Sequence, residues 1–444
     1  MNDLKHHIDN FVTRLQSQDV NMHGFILSVA GEEKAKAYYA PFKEGKPHRM
    51  YSVSKTLTGI AIGMLADEGK LKLTDPIVKY FPDYLPPSPH PWLLEQTIVD
   101  MLRMATCHSH TTYKEGIDQN WAATFFTTPP DHPSGTIFNY DTSCSQVLAA
   151  LVSRLSGQQV IDFLQDKLFR PIGANDEKYW LKDPSGICQG GTGLCMTLTD
   201  LHKIAQCILD GGNGLIPAWY VQQMGTKQID TILRPAQEER YGYGWQCWRT
   251  RAGFSLYGMG GQLAIICPEN RAILTTIADT RLDPFGVQRI YDAFFDELYP
   301  YLGHCDMSPI TLTLATPSVA SSFAPPFSQS PSYYFPTNPL SLKSLQLINN
   351  KLHYENNLGH IELPYTLGQN IETAYPGYSE VPALTSAGWV SSDTLHIRCY
   401  AIGDSPCGFE MILHFTSHSV TIQSRCSADP LTSTYNGLAT GIAN

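Results

Sequence analysis

A serine and a lysine three residues apart, Ser52 and Lys55, open an apolar stretch that reads "MYSVSKTLTGIAIGML" over residues 50–65. Because residues i and i+3 share one face of a helix, both side chains would point the same way. A serine hydroxyl becomes a nucleophile when a base removes its proton, and burial can lower the pKa of a lysine enough for it to act as that base. The start of a helix also offers free N–H groups to an oxyanion. The spacing therefore indicates acyl-transfer chemistry, although Ser-x-x-Lys alone also occurs by chance.

Two later segments could complete such a site. In "PSGTIFNYDTSCSQ", Tyr140 is predicted at a junction between a loop and a helix, where a tyrosine beside a lysine can pass a proton to a leaving group; a plain core position is the alternative. In "YGMGGQLAII", glycines precede a predicted strand, so the backbone can approach a substrate and present an N–H to an oxyanion, unless the segment is only a tight turn. The candidate oxyanion and substrate-binding residues are Gly258, Met259 and Gly260.

The predicted elements around these residues place strands at both ends of the first 300 residues and helices between them. Terminal strands that meet in one antiparallel sheet, covered by helices, would give an α+β layered fold. Hydrophobic periodicity and end signals predict two strands in 24–42, helices from Lys55 to Glu68, in 97–106, in 143–174 with a break at Ser156-Gly157, in 197–212 and in 285–302, and strands in 252–279.

The remainder of the chain has a different composition. Residues 305–336 are rich in proline and serine and are predicted to be an extended linker. Residues 337–444 alternate apolar and polar side chains between turn residues, which predicts a smaller all-β domain, either a barrel or a sandwich. The predicted domains are therefore 1–304, a linker, and 337–444.

Composition limits the possible partners. The chain of 444 residues carries a net charge of −10 without a block of basic residues, which disfavours nucleic acid. It has a polar N-terminus and no run of 18 apolar residues, so we expect no membrane span and no secretory signal. Eleven cysteines without a Cys-x-x-Cys pair favour reduced thiols in a cytoplasmic protein. We expect a small-molecule or short-peptide substrate and no cofactor.

Other motifs favour simpler roles. "CHSH" at 107–110 is the one local Cys/His cluster, and its sequence does not favour metal binding. His108 and His110 could line a pocket, but surface or capping roles are favoured for them. No Gly-x-Ser-x-Gly elbow occurs, which disfavours a Ser-His-Asp triad. "GGTG" at 190–193 lacks the lysine of a phosphate loop and predicts a turn or close packing.

The order of these segments resembles the serine β-lactamase and penicillin-binding-protein superfamily, and most of all its class C β-lactamase, D-aminopeptidase and family VIII esterase branch. The likeness covers residues 20–302 and includes "GGTGLCMTLTDLHKIAQCILDGG", which looks like a later helical signature of the family. The resemblance implies a β-lactamase-like fold, an antiparallel sheet flanked by helices plus an all-helical lobe. It also implies that Ser52 is the acylated nucleophile, Lys55 its proton partner and Tyr140 the tyrosine of a Tyr-x-Asn motif.

Two departures from the family pattern affect the predicted function. Thr142 stands where many members have asparagine, and "LYGMGG" occupies the region of the late Lys-Thr-Gly or His-Thr-Gly triad, whose cation in many β-lactamases helps to hold a substrate carboxylate. The sequence therefore favours a serine hydrolase acting on an ester or amide over one acting on antibiotics. The alternatives are a non-catalytic acyl-binding or sensor protein on the same fold, and a function carried by the C-terminal domain.

Overall fold

The computed structural model describes residues 3–427 and 433–443 of the chain. Short 3-10 helices and π-helical turns connect several of its regular elements. The α-helices are α1 Leu4–Ser17, α2 Val53–Asp67, α3 Pro91–Leu94, α4 Ile98–Leu102, α5 Trp121–Thr127, α6 Thr142–Ser156, α7 Val160–Leu164, α8 Leu198–Leu209, α9 Ala218–Met224 and α10 Gly286–Ala293. The strands are β1 Met22–Val29, β2 Glu32–Ala40, β3 His48–Arg49, β4 Tyr179–Trp180, β5 Leu194–Met196, β6 Trp248–Thr250, β7 Gly253–Gly258, β8 Gln262–Cys267, β9 Ala272–Ala278, β10 Ile310–Ala315, β11 Tyr333–Tyr334, β12 Ser344–Ile348, β13 Lys351–Asn356, β14 Gly359–Pro364, β15 Ile371–Tyr375, β16 Tyr378–Trp389, β17 Thr394–Ala401, β18 Gly408–Phe415, β19 Ser419–Cys426 and β20 Gly437–Ala443.

The first sheet joins the two ends of the N-terminal half, as the strand pattern predicts. Its order is β10-β2-β1-β9-β8-β7-β6. Phe25 of β1 is paired with Ala37 of β2 on one side and with Thr276 of β9 on the other, both antiparallel. This confirms that strands from residues 24–42 and 252–279 meet in one sheet.

Both faces of this sheet are buried, which explains why β1, β8 and β9 have almost no exposed residue. Successive side chains of a strand point to opposite faces. In β8, Leu263 and Ile265 pack in one core with α1 and α10, whereas Ala264 and Ile266 pack in a second core with α2 and α8. The sequence patterns did not predict α1.

The second core extends into a helical lobe formed by α4 to α7. Thr97 and Asp100 form a capping box at the start of α4, and the Asp141 carboxylate caps α6. α6 ends at Ser156 and is capped by Gly157, which has a φ of 73° in the left-handed region that glycine favours. The predicted break at Ser156-Gly157 is therefore confirmed.

The segment 305–336, predicted as an extended linker, differs in part from that prediction. β10 lies within it and pairs with β2 in parallel, with Leu312 opposite Ala37. The first sheet is thus mixed at this edge instead of wholly antiparallel. The proline- and serine-rich composition of the segment predicted no strand, although the residues of β10 alternate between partly buried and exposed, as in an edge strand. The domain boundaries at 304 and 337 stay a prediction.

The C-terminal part is all β, as predicted. Its strands form one antiparallel sheet of order β14-β13-β12-β11-β20-β19-β18-β17-β16-β15, which curls around a core of its own in a near-barrel. Trp389 and Phe409 are among the side chains that this core buries completely.

No single helix in the described ranges is long and apolar enough to cross a membrane. The α6 helix and the helical segment Val160–Phe169 satisfy that criterion only as a pair, and the pair is bent by 67°.

Candidate functional site

A small sheet, β3-β5-β4, fixes the chain just before Ser52. Arg49 in β3 pairs with Cys195 of β5, and the Met50 N–H donates to the Leu194 carbonyl at 2.8 Å. Tyr51 follows with a φ of +44°, a strained conformation for a residue with a side chain. The Arg49 guanidinium lies 4.9 Å from the centre of the Tyr51 ring, where a cation–π attraction helps to hold the turn. The turn places Ser52 at the N-cap of α2, immediately before the first helical residue, Val53.

Ser52 and Lys55 are in contact, as their spacing predicts. Lys55 Nζ lies 3.1 Å from Ser52 Oγ, and it donates to the carbonyl of Gly191 at 2.8 Å. Ser52 is partly exposed, whereas Lys55 is 1% exposed. The hydroxyl is thus open to a substrate while the amine beside it is excluded from water.

Burial lowers the pKa of Lys55 to about 7, against an opposing effect of the nearby Asp141 carboxylate. Desolvation disfavours the charged amine, and no carboxylate is among the hydrogen-bond partners recorded for it in the described chain. A neutral amine keeps a lone pair, so with one N–H on Gly191 it can accept a proton from Ser52. At a pKa of about 7, a substantial fraction of the amine is uncharged at neutral pH and has the chemistry of a base.

Tyr140 lies beside this pair. The Lys55 Nζ is 5.0 Å from the centre of the Tyr140 ring, and the ring stacks on Trp248 with centres 5.5 Å apart. Burial raises the pKa of Tyr140 above its usual value, while a hydrogen bond with the Ser52 hydroxyl lowers it in part. The phenol is therefore protonated at neutral pH and can donate a hydrogen bond or a proton.

Two residues of the site were not singled out from the sequence. Asp141 is fully buried, and burial raises its pKa to about 6 despite hydrogen bonds from Ser143 and Thr106. Gly191 belongs to "GGTG", for which close packing was one of the predicted roles; a Cβ on it would lie 2.4 Å from Thr142 Cγ2 and 3.1 Å from Lys55 Nζ. The position of Asp141 next to Tyr140 was the one available signal for it.

The predicted oxyanion segment lies against the turn that precedes Ser52. A Cβ on Gly258 would lie 2.2 Å from the Met50 carbonyl oxygen, so the end of β7 runs directly against the turn before Ser52. Gly260 has a φ of +86°, and the Met259 side chain is 42% exposed. Within the described chain, no hydrogen-bond acceptor is recorded for the N–H of Ser52 or of Met259.

A loop of the C-terminal domain, residues 402–407, contacts the residues around Tyr51. The Asp404 carbonyl accepts the Arg49 N–H at 2.5 Å, and the Asp404 carboxylate accepts the Tyr179 hydroxyl at 2.6 Å. Arg281 donates to the carbonyl of Pro406, and its guanidinium lies 5.3 Å from the centre of the Tyr51 ring. Both cations that flank Tyr51 are therefore tied to the C-terminal domain.

The other residues weighed in the sequence lie elsewhere. His108 is buried, and its Nε2 lies 2.9 Å from the Phe125 carbonyl oxygen, whereas His110 is partly exposed beside Asp131. In residues 3–427 and 433–443, no three His, Cys, Asp or Glu side chains gather as a metal site. The structure joins none of the eleven cysteines, all of which it describes, in a disulfide, and most of them are buried.

Comparison with known proteins supports the family resemblance that the sequence motifs indicate. The family model described as Beta-lactamase matches residues 8–293. A 6-aminohexanoate-dimer hydrolase of Paenarthrobacter ureafaciens is 26% identical over 252 residues, which cover 52% of this chain and 63% of that protein. The chain thus spans less than two thirds of this curated relative.

Solved structures share the fold at lower identity. An octameric penicillin-binding protein homologue from Pyrococcus abyssi has a TM-score of 0.52 and 13% identity, and the match covers 99% of this chain and 100% of that chain. A D-amino acid amidase from Ochrobactrum anthropi SV3 has a TM-score of 0.52 and 14% identity, over 67% of this chain and 99% of that chain. These structures are evidence for the fold alone. The family match, over well more than half of the chain, shows that the protein belongs to the β-lactamase family, among the hydrolases related to the serine β-lactamases.

Proposed function

We propose that this protein is a serine hydrolase that cleaves an ester or amide bond through an acyl-enzyme on Ser52. The observation that carries the proposal is the buried Lys55 amine, which has a pKa of about 7 and lies 3.1 Å from Ser52 Oγ. A lysine kept uncharged at that distance has no structural advantage over an apolar side chain, because its burial opposes folding.

In the proposed reaction, Ser52 Oγ attacks the substrate carbonyl carbon while its proton passes to Lys55 Nζ. The new oxyanion accepts hydrogen bonds from the N–H of Ser52 and from an N–H of residues 259–260. Tyr140 gives its proton to the leaving group as the bond to the acyl carbon breaks, and it is reprotonated from Lys55. Water then attacks the acyl-enzyme with Lys55 again as the base, which releases the acid and restores the Ser52 hydroxyl.

The first test is covalent labelling of the nucleophile. A fluorophosphonate probe should add one equivalent to the wild type by intact mass, and peptide mapping should place it on Ser52. Ser52→Ala should take up none, whereas Ser17→Ala, at the exposed end of α1, should label like the wild type. Labelling of Ser52→Ala at the wild-type level would refute the assignment of the nucleophile.

The second test is turnover. The panel should contain nitrophenyl esters, D-amino-acid anilides, a chromogenic cephalosporin and the 6-aminohexanoate dimer, which is included because of the name of the curated relative. Hydrolysis that disappears in Ser52→Ala would support the proposal. A stable adduct on Ser52 without turnover of any member would favour an acyl-binding or sensor protein instead.

A further inference from the structure

A cleft opens beside Tyr140, which is one of its lining residues. It has a volume of about 670 Å³, and its two walls are the segments 135–140 and 228–234. Arg103 and Arg234 contribute the positive charges of its lining. Because Tyr140 belongs to both the cleft and the reacting group, a substrate acylating Ser52 would extend into this space.

Arg234 is held in a fixed orientation in the wall of the cleft. Its Nε donates to Glu239 Oε2 at 2.7 Å, and its guanidinium lies 5.5 Å from the centre of the Trp248 ring. The side chain is 36% exposed, and in the described chain no hydrogen-bond partner is recorded for its Nη1 or Nη2. Glu239 thus occupies one edge of the guanidinium, and the edge formed by the two terminal nitrogens is open to a ligand.

The other charged groups of the cleft are already paired. Asp230 forms an ion pair with Lys227, and Arg103 donates to Asp100 Oδ1 at 2.6 Å and to the carbonyl of Gly135 at 3.3 Å. The free donor edge of Arg234 therefore lacks a competing carboxylate in the cleft. A guanidinium edge with two parallel N–H groups matches the geometry of a carboxylate.

The position of Arg234 relates this donor edge to the reacting group. One indole ring, that of Trp248, contacts both the Arg234 guanidinium and the Tyr140 ring. Arg234 also acts electrostatically on Tyr140, whose pKa burial raises and this cation lowers. Apolar side chains lie at the mouth of the cleft with large exposed fractions: Ile137 at 66%, Ile232 at 69% and Leu233 at 95%.

We propose that Arg234 is a specificity-determining residue that binds a carboxylate of the substrate, so that the natural substrate is an ester or amide joined to a carboxylate through a short aliphatic chain. This inference rests on the proposed function for the reaction itself. The apolar mouth accommodates the aliphatic chain, and the open edge of the guanidinium binds its charged end. The binding group lies on a different segment from "LYGMGG", which carries no cation.

The test compares substrates that differ only in a terminal charge. Mono-p-nitrophenyl glutarate and p-nitrophenyl valerate have acyl chains of equal length, and 4-(butyryloxy)benzoate and phenyl butyrate place the carboxylate in the leaving group instead. The quantity measured is the ratio of kcat/KM for the charged to the uncharged member of each pair. A ratio removes effects of a variant on the chemistry that both members share.

Loss of a charge-assisted hydrogen bond should lower this ratio by about 10- to 100-fold in Arg234→Met for one of the two pairs. Arg234→Lys, which keeps the charge without the two parallel donors, should give an intermediate ratio. Arg170→Met removes an exposed arginine that is paired with Asp166, and it should leave both ratios at the wild-type value. Ratios for Arg234→Met within about twofold of the wild type in both pairs would overturn the inference.

A binding experiment separates this inference from the proposed function. Monomethyl glutarate can be titrated into Ser52→Ala protein, with heat and tryptophan fluorescence as readouts, since Trp248 lies under the Arg234 guanidinium. Binding that is lost in the Ser52→Ala, Arg234→Met double variant would support the carboxylate site even if no ester were hydrolysed. Equal binding by the two proteins, or no binding by either at millimolar ligand, would overturn it. Far-UV circular dichroism confirms that each variant is folded.

Discussion

The pKa of Lys55 has a consequence for stability that can be measured without any substrate. In the unfolded chain this amine has the ordinary lysine value of 10.5, and in the folded protein burial lowers it to about 7. Below pH 7 both states bind the proton, so the penalty for burying the charged amine is fully present. Between about pH 7 and 10.5 the unfolded state binds more protons, so the stability of the folded state must rise with pH.

The magnitude follows from the size of that shift. One pKa unit corresponds to about 1.4 kcal/mol, so moving from 10.5 to about 7 implies about 5 kcal/mol over the full window. Lys55→Met removes this titration. The free energy of unfolding of the wild type minus that of Lys55→Met should therefore increase by about 2 to 3 kcal/mol between pH 7.5 and 9.5. Near pH 7 the methionine variant should be the more stable of the two proteins.

Urea denaturation followed by circular dichroism at several pH values gives this difference directly. Lys46→Met, at an exposed position, is the matched control for losing a lysine from the surface. Loss of the hydrogen bonds of Lys55 to Ser52 and Gly191 changes the difference in unfolding free energy between wild type and variant by a constant amount, and it does not change how that difference depends on pH. A difference that stays flat from pH 7 to 9.5 would mean that Lys55 is charged in the folded protein, and the proposed base would be wrong.

Three further outcomes are expected. Tyr140→Phe should lower kcat by about 100-fold with little change in KM, because the leaving group loses its proton donor; wild-type kcat would contradict that role. Gly191→Ala should lower kcat at least about tenfold in steady-state assays, since its Cβ would lie 2.4 Å from Thr142 Cγ2 and displace the carbonyl that binds Lys55; unchanged activity would show that this contact is dispensable. Arg398→Met should lower the free energy of unfolding by about 3 kcal/mol in urea titrations, because Arg398 is 6% exposed on its side chain and joins Glu410 to Asp19 of the other domain; an unchanged midpoint would contradict this.

Local features of this protein were predictable from its sequence. Ser52 and Lys55 meet because three residues along a helix return the chain to the same face, a relation that spacing alone fixes. The break after α6 follows in the same way from Gly157, which can adopt the left-handed conformation at low energetic cost. The order of the segments indicated the family, and with it the layered sheet and the neighbourhood of Tyr140.

Tertiary structure alone decided which groups surround these residues. Gly191 and the loop at Asp404 reach the site from distant parts of the chain, and β10 joins the first sheet from a segment whose composition predicts a linker. Arg234 acquires its open edge because Glu239 and Trp248 fix the rest of its guanidinium. The lowered pKa of Lys55 is also decided by the tertiary structure, because the desolvation of its amine depends on all the segments that cover it and not on the neighbouring residues in the sequence. Sequence spacing determines contacts within one or two turns of a helix, whereas burial and long-range pairing exist only in the folded chain.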